Sequence, residues 1–400
     1  MITPITKYAN SGSVNLAYQQ IGDAGAYLIL IPGWVTNIEE SWNIPQLSAW
    51  LRYLASFTRL VIFDKRGTGL SDNVSQDHLP DIKQRAEDLK IIMEAIGIKK
   101  ANFLGLSEGG PLSIYLAANF PEMVDKLILL GSFPKWIKTD DYPFGMSRVE
   151  HDKVKAYIFK HWGESIGLNL MAPSIKDDKI AQEQWARFLR RSASPGNAKV
   201  LYEMNVEIDV RDYLKKVIAP TLIMHRSDDA LIECGHSTYL HENIANSQLV
   251  VSNGKDHLPW FSVKREEIIA IQTFLKDGNA IDNPKLDFLS IEDIFVLYAM
   301  KDYIQNNSDK DIRIKDLTRH FGINDYKIKK GFKLLFDTPV ITYLTDIRLE
   351  KASKLLMDPN ETIESIAEQV GYEHANNFSV AFKRKFGLSP SKYKASITKI

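Results

Sequence analysis

The sequence predicts an α/β domain built on a mostly parallel sheet, interrupted by a helical insertion and followed by an all-α domain. Three observations lead to this fold class. Short apolar runs alternate with amphipathic runs as far as about residue 132, and a stretch with helical periodicity alone follows. Two further apolar runs then precede a C-terminal part in which every segment has helical periodicity. A chain of 400 residues has room for two or three domains.

Six apolar runs are typical of strands that are buried on both faces of a parallel sheet. They are rich in Leu and Ile and do not alternate with polar residues. The runs are YLILIPG (27–33), RLVIFDKRG (59–67), NFLGLS (102–107), KLILLGS (126–132), PTLIMHRSDD (220–229) and QLVVSNG (248–254). Between the second and the third, residues 81–97 have apolar side chains at helical spacing and end at Gly97, which predicts a helix.

The insertion, at about 133–215, is predicted to be a helical lid over the sheet. Its segments 151–170 and 178–191 have helical periodicity, with no strand pattern between them. Four aromatic residues of this region either line an apolar pocket or simply pack the lid: Trp136, Trp162, Trp185 and Phe188. We therefore place the first domain at 1–278, a polar linker at 279–289 and the second domain at 290–400.

Composition excludes several classes of protein. Fifty basic residues balance fifty acidic ones, so net charge indicates no partner. Cys234 is the one cysteine, which rules out an intramolecular disulfide and a thiolate metal cluster. There is neither a signal-peptide pattern at the start nor an apolar run of membrane-spanning length. We expect a cytoplasmic protein that has no membrane contact, metal ion or cofactor.

Ser107 is the candidate nucleophile. It lies in the pattern G-x-S-x-G, after a predicted strand and before a predicted helix over 108–120. On such a turn the serine hydroxyl is exposed, and the flanking glycines allow the crowded backbone. Two backbone N–H groups should form the oxyanion hole, one from Glu108 and the other from Trp34, which follows the first apolar run. The alternative is that Ser107 is a relic of the fold in a binding pocket.

A serine nucleophile needs a neighbouring base, which a carboxylate orients. His257 is the best-placed base, because it follows the last predicted strand in a loop. His225 lies within a strand and is structural on this interpretation, while His236 and His241 have the pattern of helix-surface residues. Asp229, at the end of the preceding strand, is the preferred acid, and Asp228 is the alternative.

Taken together, LILIPGW, FDKRGTGLSD, LGLSEGGP, MHRSDDALI and GKDHLPW resemble the α/β-hydrolase family over roughly residues 10–276. The closest subgroup is often fused to bacterial signalling domains. The resemblance implies the α/β hydrolase fold with a helical lid, and a Ser107–Asp229–His257 triad. Two departures stand out: Pro32-Gly33 replaces a common His-Gly, and Ala230 replaces a common Pro after the acid.

The C-terminal part contains two helix-turn-helix patterns joined by a helix over 340–357. The first spans 312–336, with Gly322 at its turn and Asn324 as the N-cap of its second helix. The second spans 362–387. The second helix of such a unit lies in the major groove, where lysine suits guanine edges or phosphates and asparagine suits adenine. The DNA-binding candidates are Tyr326, Lys327, Lys329, Lys330, Lys333, Asn376, Asn377, Ser379, Lys383 and Arg384.

Residues 290–395, which contain both units, resemble the AraC family of bacterial transcription regulators, and the second unit carries the longest motif. The matching residues of its motif are Ile363, Ile366, Ala367, Val370, Gly371, Tyr372, Asn377, Phe378, Phe382, Lys383, Phe386, Gly387, Ser389 and Pro390. The resemblance implies an all-α, AraC-type double helix-turn-helix domain. Val380 departs from it, because relatives commonly carry Arg there. The first unit's helix and phosphate contacts are then the stronger part of the predicted DNA interface.

These resemblances predict a transcription regulator whose hydrolase domain binds, and cleaves if the triad is active, a small apolar or ester-like molecule. The alternatives are a serine esterase or lactonase with an accessory DNA-binding domain, and a non-catalytic scaffold. Double-stranded DNA and a small molecule are the expected partners. The oligomeric state stays open, with a homodimer as one alternative.

Overall fold

The computed structural model describes residues 4–73, 80–276 and 288–397. The chain divides into two compact units, Met1–Ile281 and Asp282–Ile400. Most of the predicted linker, 279–289, lies outside the described residues. No helix within the described ranges is long and apolar enough to span a membrane.

The N-terminal compact unit is built on an eight-stranded sheet with the order β1-β2-β4-β3-β5-β6-β7-β8. Its strands are β1 (Lys7–Ser11), β2 (Val14–Ile21), β3 (Tyr27–Ile31), β4 (Arg59–Phe63), β5 (Ala101–Leu106), β6 (Val124–Leu130), β7 (Thr221–Arg226) and β8 (Ser247–Ser252). β3 to β8 pair in parallel, and each coincides with one of the six predicted runs. The predicted fold class is confirmed.

β1 and β2 form an antiparallel hairpin that joins the edge of this sheet through β4. Neither strand was predicted, because neither is a continuous apolar run. In β1 only alternate residues are buried, and β2 places polar Gln19 in the interior, where Trp42 Nε1 donates to its Oε1 at 2.8 Å. A half-polar strand of this kind is typical of an antiparallel edge.

Helices cover both faces of the sheet. They are α1 (Pro45–Ala55), α2 (Ile82–Ile96), α3 (Gly109–Asn119), α8 (Gly235–Asn243) and α9 (Arg265–Leu275). α2, α3 and α8 lie on one face, where their apolar side chains share a core with the central strands, and α1 and α9 lie on the other. α2 begins at the N-cap Asp81 and ends, as predicted, at Gly97, whose φ of 80° is the left-handed conformation that glycine favours.

The lid region contains four helices: α4 (Arg148–His161), α5 (Leu168–Met171), α6 (Lys179–Ser192) and α7 (Pro195–Met204). The predicted helix over 151–170 is wrong in its second half, because Gly163 and Gly167 adopt positive φ and interrupt it. α7 was not predicted, although Ser194 caps it and Pro195 occupies its first turn.

The C-terminal compact unit is entirely helical in its described part. Its helices are α10 (Ile291–Asn306), α11 (Ile314–Phe321), α12 (Asp325–Phe336), α13 (Val340–Leu355), α14 (Ile363–Gln369), α15 (Ala375–Phe386) and α16 (Pro390–Ile397). α11 with α12, and α14 with α15, form the two predicted helix-turn-helix pairs. Asn324 is the N-cap of α12 as predicted, since its side chain accepts the backbone N–H of Lys327. Phe378 and Phe382 of α15 are fully buried in the core of the second pair.

Candidate functional site

Ser107 lies on a sharp turn between β5 and α3. Its φ of 53° is unusual for a residue with a side chain, and it is maintained by dense packing on both sides. A Cβ on Gly109 would lie 2.1 Å from the Ile31 carbonyl oxygen, and a Cβ on Gly105 would lie 2.8 Å from the Cα of Gly110. Glycine is therefore required at these positions, as the sequence pattern indicated.

His257 and Asp229 meet at the carboxyl ends of the neighbouring strands β8 and β7. His257 Nδ1 lies 2.7 Å from Asp229 Oδ2, and both side chains are buried. Burial alone would raise the pKa of Asp229, but its interactions with His257 and a backbone hydrogen bond from Ile232 outweigh this effect and lower the pKa. An ionised Asp229 accepts a hydrogen bond from Nδ1–H of His257, which leaves Nε2 of a neutral imidazole as the acceptor.

The alternative acid and the other histidines have different hydrogen-bond partners. Asp228 is exposed and accepts a hydrogen bond from Ser227 Oγ at 2.7 Å. His225 is buried in β7, where its Nε2 donates to the Ile232 carbonyl at 2.9 Å, and burial lowers its pKa. The prediction for His236 was wrong. It is 1% exposed, contacts the Tyr142 hydroxyl through Nδ1 at 2.6 Å, and burial lowers its pKa to about 3.

One departure from the family pattern has a structural explanation. The backbone N–H of Ala230, which follows the candidate acid Asp229, donates to the Lys255 carbonyl at 3.0 Å. A proline there would have no N–H to donate. This hydrogen bond joins the loop that carries Asp229 to the loop that carries His257.

A cavity of about 600 Å³ lies against Ser107 and His257. Its wall is mostly apolar and includes side chains from the sheet side and from the lid. Three of the four aromatic residues considered above line it, namely Trp136, Trp185 and Phe188. Trp162 does not. It packs edge-on against Trp34 and donates from Nε1 to the Ala193 carbonyl.

No group of His, Cys, Asp and Glu within the described ranges could hold a metal ion.

A cluster of charged side chains next to Ser107 is largely buried and was not predicted. The Glu108 side chain lies between Lys65, with which it forms a short ion pair, and Arg85, whose Nη1 is 2.5 Å from Oε1. Burial would raise the pKa of Glu108, but the two cations outweigh this effect and lower it. The motif FDKRGTGLSD contains Lys65, yet nothing in the sequence indicates that a residue 43 positions away is its partner.

Exposed polar side chains lie on the second helix of each helix-turn-helix pair. On α12 the side chains of Tyr326, Lys329, Lys330 and Lys333 are exposed, and on α15 those of Asn376, Asn377, Lys383 and Arg384 are exposed. Two other predicted DNA contacts are only partly exposed. Ser379 is half-buried, and Lys327 is half-buried and donates to Asp293 on α10.

A family model described as "alpha/beta hydrolase fold" matches residues 27–262, more than half of the chain. The chain belongs to the α/β hydrolase family. A second model, described as "Helix-turn-helix domain", matches residues 317–396, so the chain joins a hydrolase-fold domain to an AraC-type helix-turn-helix domain. The resemblances to both families are confirmed.

Similar curated proteins match the hydrolase-fold domain. Karrikin insensitive 2 receptor IA of Petunia hybrida is 26% identical over 216 residues, which cover 52% of this chain and 78% of the receptor. The bifunctional esterase/perhydrolase DCH of Acinetobacter calcoaceticus is 27% identical over 234 residues, 55% of this chain and 80% of that protein. An esterase from Exiguobacterium antarcticum has a similar fold, with a TM-score of 0.56 at 23% identity, over 68% of this chain and 100% of the esterase.

Proposed function

We propose that this α/β hydrolase is a transcription regulator that binds and cleaves a small, largely apolar ester. Ser107 would be the nucleophile, His257 the general base and Asp229 the residue that orients it. The observation that carries the proposal is the 2.7 Å contact between His257 and Asp229, beside a cavity lined by both His257 and Ser107. The names of the relatives, a receptor and an esterase, support sensing and hydrolysis alike.

The chemistry follows from the protonation states. Ser107 Oγ attacks the ester carbonyl carbon as His257 Nε2 takes its proton, and the carbonyl oxygen becomes an oxyanion. The backbone N–H groups of Glu108 and Trp34 would stabilise this charge. Collapse of the intermediate breaks the bond to the alcohol, which leaves with the proton from Nε2, and an acyl-serine remains. Water, deprotonated by the same Nε2, then attacks the acyl carbon. The bond to Ser107 Oγ breaks, Nε2 returns the proton to Oγ, and the acid is released.

The proposed substrate class rests on the wall of the cavity. A volume of about 600 Å³ with a mostly apolar lining suits a molecule of ordinary metabolite size with few charges. Lys153 and Asn169 are among the few polar residues that line it. An ester or lactone places one polar carbonyl at Ser107 and keeps the remainder apolar.

Hydrolysis is tested with the wild-type chain, Ser107→Ala and the control Ser56→Ala. Ser56 is an exposed serine at the C-cap of α1. The substrate is p-nitrophenyl butyrate, and a fluorophosphonate probe reports covalent labelling. We expect turnover and labelling in the wild type and the control, and loss of both in Ser107→Ala. Equal rates in all three proteins would contradict the proposed nucleophile.

Regulation needs a second experiment. A ligand can shift DNA affinity only if it binds the DNA-binding conformation and the other conformation of the protein with different affinities. An operator is first selected from random duplex DNA by the full chain. The affinity of this operator for Ser107→Ala, which cannot cleave the ester, is then measured with and without the ester. We expect the ester to change the DNA affinity. An unchanged affinity would favour the alternative, an esterase with an accessory DNA-binding domain.

The mass of the protein–DNA complex decides whether a homodimer binds.

The same operator tests the proposed DNA-reading helices. Lys333→Ala removes an exposed lysine from α12, and we expect the slope of log affinity against log salt to become shallower by about 1. Lys354→Ala, an exposed lysine on the connecting helix α13, is the matched control. Equal slopes for the two variants would argue against α12 as a helix that contacts phosphate.

A further inference from the structure

A single buried ammonium group connects the two segments that carry the proposed oxyanion-hole donors. Lys65 Nζ donates to the Gly33 carbonyl at 2.5 Å and also to the carboxylate of Glu108. Gly33 precedes Trp34, and Glu108 follows Ser107. Lys65 is only 6% exposed, so water cannot replace these contacts freely.

The contact with Gly33 determines the direction of the Trp34 N–H. The Gly33 carbonyl and the Trp34 N–H belong to the same peptide group, and in a trans peptide they point in opposite directions. Gly33 has no Cβ, so its backbone is less restricted than that of any other residue. A bond that holds the Gly33 oxygen towards Lys65 therefore directs the Trp34 N–H to the other side. Gly33 itself borders the nucleophile, because a Cβ on it would lie 3.9 Å from Ser107 Oγ.

The second donor peptide is held in a comparable way. The Ser107 carbonyl accepts hydrogen bonds from Ser132 Oγ at 2.9 Å and from the Gly110 N–H at 3.0 Å. The Glu108 N–H belongs to this peptide group and points away from those partners. Lys65 adds a bond to the side chain of the same residue, so it joins the two donor peptides to each other.

Lys65 is itself rigidly placed. It follows Asp64, whose carboxylate accepts the backbone N–H groups of Ile38 at 3.0 Å and Leu70 at 2.9 Å. Gly69 packs directly on this carboxylate, because any Cβ there would overlap it at 2.1 Å. The loop thus presents the lysine in one conformation, as a preorganised site requires.

We propose that Lys65 is a positioning residue for the oxyanion hole, which holds the Trp34 and Glu108 N–H groups towards one developing charge. The inference rests on the proposed hydrolase function. Lys65 does not touch the substrate in this role. It acts on the Gly33 carbonyl and the Glu108 carboxylate, and through them on the two N–H groups.

The test compares Lys65→Met with the wild type and with Lys100→Met, a lysine-to-methionine control at an exposed ion pair with Asp125. Glu108 keeps its partner Arg85 in Lys65→Met, so no buried carboxylate is left unpaired. We expect kcat for p-nitrophenyl butyrate to fall by about 10- to 100-fold, because a misdirected donor weakens transition-state stabilisation. We expect KM to change by less than about 3-fold, because the ground-state carbonyl depends little on the hole.

A second readout separates positioning from a structural role. A trifluoromethyl ketone forms a tetrahedral oxyanion on the nucleophile, so its affinity should fall by the same factor as kcat/KM. A lower kcat with unchanged ketone affinity would overturn the proposal, and so would a kcat within about 3-fold of the wild type. If the wild type neither cleaves the ester nor is labelled at Ser107, the proposed function fails instead.

Lys65→Arg decides the matter if Lys65→Met does not fold. The guanidinium can keep the ion pair with Glu108, but its longer side chain and planar fork place the N–H donors differently from the single Nζ that contacts both partners. We expect its melting temperature to remain near that of the wild type, with kcat and ketone affinity both reduced by about 10-fold or more. Wild-type values of both would contradict the positioning role.

Discussion

Nδ1 of His257 lies 2.7 Å from Oδ2 of Asp229, although 28 positions separate them in the chain. The Asp229 carboxylate has two further partners, since its Oδ1 accepts the backbone N–H groups of Leu231 at 2.9 Å and Ile232 at 3.0 Å. These bonds fix the carboxylate, which in turn fixes the imidazole. We therefore expect His257 to have one ring orientation, with its proton on Nδ1.

Replacing Asp229 by Asn should abolish the correct tautomer. The amide of Asn can donate to Nδ1, which places the proton on Nε2 and removes the base. We expect kcat for p-nitrophenyl butyrate to fall by about 10³- to 10⁴-fold, measured from initial rates. Asp228→Asn makes the same change at the exposed neighbour and should leave kcat unaltered. A similar loss in both variants would mean that the acid has been wrongly assigned.

Most of the parallel part of the sheet could be predicted because β3 to β7 are largely buried, whereas the edge strand β8 is only partly buried. Continuous apolar runs such as 27–31 and 127–130 carry that information within each segment. β1 and β2 could not be predicted in the same way, since the side chain of Gln19 is buried with three hydrogen-bond partners: Pro4, Thr6 and Trp42. The bond from Trp42 depends on a contact between different parts of the chain, which no local pattern reports.

The candidate triad residues could be located from their positions after strands, but the charges around them could not. Lys65, Arg85 and Glu108 each have the sequence context of an exposed residue. They are buried because they are paired, and the pairing depends on how α2 and the loop after β4 pack beside Ser107. His236 was wrongly predicted for the same reason, because the Tyr142 hydroxyl that allows its burial is 94 positions away.

Acid should destabilise the hydrolase-fold domain through His236. Burial lowers its pKa from 6.5 to about 3, so between these values the unfolded chain binds a proton that the folded chain does not. The free energy of unfolding should therefore fall as pH decreases below about 6.5, by at most about 1.4 kcal/mol per pH unit for this residue. The measurement is urea unfolding between pH 7 and pH 5, in roughly half-unit steps.

His236→Asn is the informative variant. Its amide oxygen can still accept from the Tyr142 hydroxyl, but the side chain does not titrate. We expect a shallower dependence of stability on pH than in the wild type, although His225 and His151, whose pKa values burial also lowers, keep part of it. His241→Asn, at an exposed position of α8, is the control and should retain the full slope. Identical slopes for both variants would exclude His236 as the source.

The lid residues that line the cavity should limit the length of the acyl chain that a substrate can have. Val154 on α4 lines the cavity, and Val154→Phe would occupy part of its volume. We expect kcat/KM for p-nitrophenyl octanoate to fall by about 10-fold relative to that for the butyrate, because a filled pocket rejects added methylenes. Val149→Phe adds the same bulk on the same helix at a side chain that is 64% exposed, and it should preserve the ratio. A ratio that is unchanged in Val154→Phe would place the acyl chain elsewhere.

The second helix-turn-helix pair should gain DNA affinity from a basic residue at position 380. Val380 is 72% exposed on α15, the same helix as Lys383 and Arg384, and an aliphatic side chain there can neither bind phosphate nor donate to a base. Val380→Arg should strengthen operator binding and make the slope of log affinity against log salt steeper by about 1. Ile341→Arg puts the same charge at a 49% exposed aliphatic position on α13 and controls for net charge. If both variants steepen the slope equally, the effect is one of overall charge, and α15 does not contact the DNA backbone at this position.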